Sequence, residues 1–270
     1  MLFIVVNFVV TACHRDLKDP RDRFYTIGIK ESIHSKILDE ERPFFVYVPP
    51  YNKESPTKFP VLYLFDGEAH FHSVSGLVQI LGTGVNQTRI VPEFIVVAIP
   101  NPNIEERRKY LSPGKGDDLL KFIQTELVPY IDKSYPTNSS RTLVGHSLGG
   151  LMTIQALYTM PETFDAYIAI DPSLWWDNRV LMKPADSIFS TKKFHSKFLY
   201  IAQANTLDPG TTTNEHYGAI KDFVKVLESS NNTSGINWSY KYYPDDSHSS
   251  VPLIAEYDGL RFINRAINTH

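Results

Sequence analysis

Thr142-Leu143-Val144-Gly145-His146-Ser147-Leu148-Gly149-Gly150 is the stretch on which the reading of this chain turns. A short strand-like run enters it, and residues 148–160 leave it with the composition of a helix. Glycine two places before and two places after a serine, between a strand and a helix, is the pattern of a nucleophile elbow. The chain turns so sharply there that the serine backbone is strained and flanking side chains would collide, which Gly145 and Gly149 avoid. The hydroxyl of Ser147 then stands at the head of a helix. The N–H of Leu148 has no acceptor within that helix and is free to donate to an oxyanion. The plain alternative is a glycine-rich turn with a capping serine.

Strands and helices alternate on both sides of this turn. Residues 61–65 and 94–99 are apolar at almost every position, as strands covered on both faces are. In 117–131, Leu119, Leu120, Phe122, Ile123, Leu127, Val128 and Ile131 recur at helical spacing. Residues 166–170, 198–202 and 237–243 read as further strands, and 217–227 and 251–267 as helices. Upstream, 24–30, 35–38 and 43–48 are β-prone and suit antiparallel strands at a sheet edge. This order predicts the α/β class: a mostly parallel central sheet flanked by helices on both faces, with the site at the carboxyl ends of the strands.

A serine hydroxyl is a weak nucleophile until a base takes its proton. With partners in the order serine, acid, histidine, the bases downstream are His195, His216, His248 and His270. His248 lies in Asp245-Asp246-Ser247-His248-Ser249-Ser250, a polar loop between the last strand and the last helix, and is the expected base. His195 precedes a strand, His216 opens a helix and His270 ends the chain, so each reads as a surface residue. The acid belongs in a loop after a late strand. Asp208, in the 204–210 loop, is the first choice, while Glu215 in the same stretch and Asp171 after the preceding strand stay open. A serine–histidine dyad with a carbonyl orienting the ring is also chemically sufficient.

The second oxyanion donor is expected from Asp66-Gly67-Glu68, through the N–H of Gly67 or Glu68; the alternative is an ordinary turn. His70 and His72 form an H-x-H pair, but no further cluster has metal-ligand spacing, so they read as packing or substrate contacts and no metal is expected. Trp175 and Trp176 suit either an acyl pocket or packed aromatics.

The 270 residues, 42% hydrophobic and 21% charged, fit one domain with a large core. A formal net charge of -3 and a pI near 6.3 offer nothing to a phosphate backbone, so nucleic acid is not an expected partner. Residues 1–12 carry no charge and are too few to span a bilayer as a helix. They resemble the apolar part of a secretion signal without its usual positive start. Val10-Thr11-Ala12-Cys13 resembles a lipoprotein cleavage site. The expectation is a leader and linker over 1–20, one domain over 21–270, and an exported protein that meets a membrane only through a lipid on Cys13. The alternative is a cytoplasmic protein whose first strand holds an inert cysteine.

With these residues in hand, the chain resembles the enterochelin-esterase-like group of α/β-hydrolases, to which siderophore trilactone esterases belong. The likeness covers nearly everything after residue 35. It rests on 61–71 (VLYLFDGEAHF), Ala98-Ile99-Pro100-Asn101, Gly145 to Gly150, Pro172-Ser173-Leu174-Trp175-Trp176-Asp177 and Tyr257-Asp258-Gly259-Leu260-Arg261-Phe262. The resemblance implies the α/β-hydrolase fold and a serine esterase acting on small-molecule esters without metal or organic cofactor. It also implies Ser147 and His248 as catalytic residues and a polarising loop at Gly67-Glu68.

Where the group often has Arg-Asp-Leu-Thr-Pro, this chain has Lys109-Tyr110-Leu111-Ser112-Pro113, so Lys109, or Arg107 and Arg108, take the place of a substrate-contacting arginine. A short segment over 113–117 implies an open site, and Asp171 stands where relatives often have serine. The expected reaction is ester hydrolysis through an acyl-enzyme, with siderophore-like esters among the substrates. The alternatives are an acyltransferase with the same Ser-His machinery and a non-catalytic ligand-binding protein on this scaffold.

Overall fold

The apolar run at 61–65 is buried at every position, and the strands Ile95–Ile99, Ala166–Ile170 and Phe198–Ala204 of the same sheet are buried in the same way. The structure is a computed structural model that describes residues 25–52, 54, 57–83 and 89–268. The expected leader and Cys13 lie outside the described residues.

The chain begins with β1 (Ile29–Ser35), β2 (Glu40–Tyr47) and β3 (Phe59–Phe65), then α1 (Gly67–Thr83), β4 (Ile95–Ile99) and α2 (Ile104–Tyr110). Next come α3 (Lys115–Phe122), a π turn (Ile123–Leu127), α4 (Val128–Ser134), β5 (Thr137–His146), α5 (Leu148–Thr159) and β6 (Ala166–Ile170). The remainder is α6 (Trp176–Arg179), α7 (Ala185–Thr191), β7 (Phe198–Ala204), α8 (Glu215–Ser229), α9 (Asn231–Ser234), β8 (Asn237–Tyr243) and α10 (Val251–Asn268). The strands form one eight-stranded sheet in the order β1-β2-β4-β3-β5-β6-β7-β8. β1 and β2 are antiparallel at the edge, β2 meets β4 antiparallel, and all other pairs are parallel.

Side chains alternate across the sheet with the period of two that a strand imposes. Tyr63, Phe65, Tyr167, Ala169, Leu199 and Ile201 face one core layer with α3, α5, α7 and α8. Leu62, Leu64, Ile168, Ile170, Tyr200 and Ala202 face the other, with α1 and α10. Two apolar faces on one parallel sheet leave the strand ends as the place for polar chemistry, and the helices that follow β3 and β5 begin there side by side.

Several element bounds differ from expectation. β5 has ten residues and starts at Thr137, because the polar stretch 137–141 finds its partner in β3 (Phe59 with Thr137, Val61 with Arg141). Residues 36–39 turn between β1 and β2 and are not a strand. No helix is expected over α1, although Phe71, Val74, Val78 and Leu81 recur there at helical spacing and pack on the second core layer; α2 lacks such a stripe and is fixed by Asn103, whose side chain accepts the Glu106 N–H. No helix among the described residues is long and apolar enough to cross a membrane.

Candidate active site

Ser147 sits between β5 and α5 with φ 59° and ψ −118°, a conformation that costs about 1–3 kcal/mol and needs support around it. The support is visible. Its N–H donates to the Ile170 carbonyl at 3.0 Å, and its own carbonyl accepts the N–H groups of Leu151 and Ser173, both at 3.0 Å. A Cβ on Gly145 would overlap the carbonyl of Gly149, and one on Gly150 would press on Ile170 O and Pro172 at 3.0 Å. The glycines therefore allow the turn and the close approach of the loop after β6.

The Ser147 hydroxyl lies 3.1 Å from His248 Nε2, and His248 Nδ1 lies 2.6 Å from Asp171 Oδ2. His248 is delivered by the loop after β8, where the Asn205 N–H holds the Asp246 carbonyl and the Ser250 hydroxyl holds the Asp246 carboxylate. Asp171 follows β6 directly, is fully buried and has φ 40°. Its N–H donates to Ala202 O and its Oδ1 accepts the Ala204 N–H at 2.9 Å, which wedges it between the ends of β6 and β7. Burial by itself would raise its carboxyl. The contacts from His216 and His248 and the Ala204 N–H outweigh burial and hold it well below the usual range, so it is an anion.

The acid that meets the histidine is thus Asp171, not Asp208. Asp208 is exposed and serves its loop through its carbonyl, which accepts from Thr211. Glu215 is also exposed. His216, read from the sequence as a surface residue, is half-buried with Nε2 at 2.9 Å from Asp171 Oδ2. That contact has the distance of an ion pair without the alignment of a hydrogen bond.

Two helices begin at the neighbouring strand ends beside this set. Leu148 opens α5, and Gly67 and Glu68 open α1. Their first-turn N–H groups have no intrahelical acceptor. The carboxylate of Asp66 anchors the second loop: Arg107 grips it at 2.6 and 2.8 Å and the Asn101 side chain donates at 2.9 Å. Glu68 accepts the Asn101 N–H at 2.8 Å, and Gly67 has Ala98 so close that a Cβ would lie 2.9 Å from its methyl. Arg107 is therefore occupied with the loop. Lys109 is engaged with Glu106 at 3.2 Å and with the Tyr110 ring, and the structure gives it no contact with the Ser147 set.

A cleft of about 280 Å³ opens over the serine, lined by Ser147, Ser173, Trp175, Thr206, His216 and His248. The two tryptophans divide the roles offered to them: Trp175 is exposed at the cleft, while Trp176 packs against the core. A larger hollow of about 420 Å³, lined by Pro60, Phe94, Thr142 and Leu260 among others, contains no nucleophile and base. The H-x-H pair separates, with His72 exposed and His70 turned in toward Glu256 at 3.7 Å. The His146 ring lies between His70 and His248, at 5.9 and 4.5 Å between centroids. Burial, with help from His248 and His70, lowers His146 to about 3, so it stays neutral beside the base.

Residues 35–237 match the model of the family described as "Putative esterase". The chain is 26% identical to the ferri-bacillibactin esterase BesA of Bacillus subtilis over 251 residues, which is 83% of this chain and 86% of that one. It is 30% identical to the siderophore triacetylfusarinine C esterase of Aspergillus fumigatus over 151 residues, about half of each chain (50% and 51%). Among solved structures, an IroE-like serine hydrolase from Shewanella oneidensis superposes with a TM-score of 0.80 at 31% identity, covering 88% of this chain and 80% of the other.

Proposed function

This chain belongs to the "Putative esterase" family and is a carboxylic ester hydrolase, and we propose that it works through an acyl-enzyme formed on Ser147. The observation that carries this reading is the unbroken line from Ser147 Oγ through His248 to the buried carboxylate of Asp171. His248 Nε2 takes the hydroxyl proton as Oγ attacks the ester carbonyl, and Asp171 holds Nδ1–H and stabilises the imidazolium. The N–H of Leu148 and those of the Gly67-Glu68 turn hold the oxyanion. Collapse of the tetrahedral intermediate expels the alcohol with the proton from His248. Water, activated by the same imidazole, then releases the acid and restores the hydroxyl.

The substrate class we propose is a siderophore-type ester, on the strength of what the relatives above are named for. The open cleft with Trp175 at its wall suits a bulky, partly aromatic acyl group, since an indole offers a large flat apolar surface.

The test is fluorophosphonate labelling together with hydrolysis of p-nitrophenyl esters and of ferric and iron-free trilactone siderophores. Wild type should label and turn over; Ser147→Ala should lose both; His248→Ala should lose turnover, with kcat down about 10⁴-fold or more. A folded wild type that neither labels nor hydrolyses any of these esters would defeat the reading.

A further inference from the structure

One oxygen of the buried acid serves two imidazoles. Asp171 Oδ1 is taken by the Ala204 N–H, while Oδ2 lies 2.6 Å from His248 Nδ1 and 2.9 Å from His216 Nε2. The two rings meet edge to face, 5.4 Å apart and at 88°. A serine–histidine–acid line requires only one of them. Nor is His216 a loop residue near the site by accident. It is the second residue of the fifteen-residue α8, whose start is fixed by Asn214: the Asn214 Oδ1 accepts the Tyr217 N–H at 2.8 Å and its Nδ2 donates to the Thr206 carbonyl at 2.7 Å. Thr206 and His216 line the same cleft as Ser147.

We propose that His216 is a positioning residue for the Ser147–His248 pair, acting through Asp171: it holds the carboxylate in place and divides its charge between two imidazoles. The proposal rests on the reading of Ser147, His248 and Asp171 given above. Two physical consequences follow from the geometry. The Ala204 N–H holds Oδ1 and the His216 ring stands against Oδ2 at 2.9 Å, so the carboxylate has little room to turn away from Nδ1 before substrate arrives. In addition, positive charge on His216 draws on the same oxygen and repels the imidazolium that forms on His248.

The other ionisable groups around His216 are accounted for. From β8, Tyr240 donates its hydroxyl to Gln203 at 2.6 Å, and burial raises it, so it is neutral across this range. Arg179, the last residue of α6, is paired with Asp222 at 2.9 Å. Glu215 and Tyr217 flank His216 on α8 itself, Glu215 exposed to solvent. On the far side of His248 are the neutral His146 and, in its own loop, Asp245 and Asp246.

Two substitutions separate positioning from packing. His216→Ala should lower kcat about tenfold, leave KM for p-nitrophenyl acetate within about twofold, and displace the acid limb of kcat/KM toward higher pH. His216→Gln offers a neutral donor near the lost Nε2; it should regain most of kcat while keeping the displaced limb. The melting temperature and far-ultraviolet circular dichroism of each variant establish that it is folded. Unchanged kcat and an unmoved limb in folded His216→Ala, or equal loss in both variants, would overturn the proposal. Ser147→Ala assayed beside them keeps the two readings apart. Full dependence on Ser147 with no effect at His216 removes only this inference, whereas retained turnover in Ser147→Ala removes the parent reading and this one with it.

Discussion

Asp171 and Asp208 both leave the carboxyl end of a late strand, and what separates them is distance from the serine across the sheet. β6 is the neighbour of β5, so the first residue after it falls beside Ser147, while the loop after β7 starts one strand further out. Asp171→Asn should therefore lower kcat by about 10³-fold or more, because the amide neither stabilises the imidazolium nor fixes the tautomer, whereas Asp208→Asn should stay within about twofold. A second residue-scale expectation concerns Glu256, which is buried on α10, with one carboxylate oxygen lacking a partner among the described residues. Burial pushes it up to about 8. The folded protein thus holds a proton there that the unfolded chain releases near pH 4.5, so stability is full below that pH and falls as pH rises through 8. Glu256→Gln should flatten that loss: its melting temperature should exceed that of the wild type at pH 8.5 by more than at pH 5.

At the scale of elements, the elbow and the helices make opposite demands on glycine. Gly145 has the carbonyl of Gly149 where a Cβ would go, so Gly145→Ala should cost about 3 kcal/mol or more in urea unfolding and abolish labelling of Ser147. Gly76 lies inside α1 with nothing within 4 Å of an added Cβ, so Gly76→Ala should stabilise by about 0.5–1 kcal/mol without changing ester turnover. The elements legible in the sequence were those with a continuous apolar run, such as β3 and β4, or a strong helical period, such as α3. Not legible were α2, a charged seven-residue helix held by a cap, and α6, where Asp177, Asn178 and Arg179 all have positive φ. Asp and Asn are the side chains that tolerate this hand best, but the pair by itself does not announce three such residues in succession. The amino half of β5 was missed for a related reason: Thr-Asn-Ser-Ser-Arg reads as a loop until β3 supplies its hydrogen bonds.

Across the whole molecule, one sheet is shared by two core layers, and the strands that carry Ser147 and Asp171 contribute to both. Loss of either layer exposes the other face of the same strands. Unfolding followed by tryptophan fluorescence and by far-ultraviolet circular dichroism should give coincident transitions, and activity should disappear within the same denaturant range. Separate transitions would show that the α1–α10 layer opens without its counterpart.

The class of fold, the turn at Ser147 and the loop that carries His248 are written in the linear pattern of residues. These follow from local rules: a period of two or of 3.6, glycines where a turn excludes side chains, and a strand order that fixes which loop comes last. Packing alone sets Asp171 rather than Asp208 against His248, occupies Arg107 with Asp66, turns Trp175 to the cleft and Trp176 to the core, and brings His216 against Asp171. Each of those outcomes depends on which strand ends are neighbours and how a helix is rotated on the sheet. They are properties of packing between segments far apart in the chain, and no local pattern encodes them.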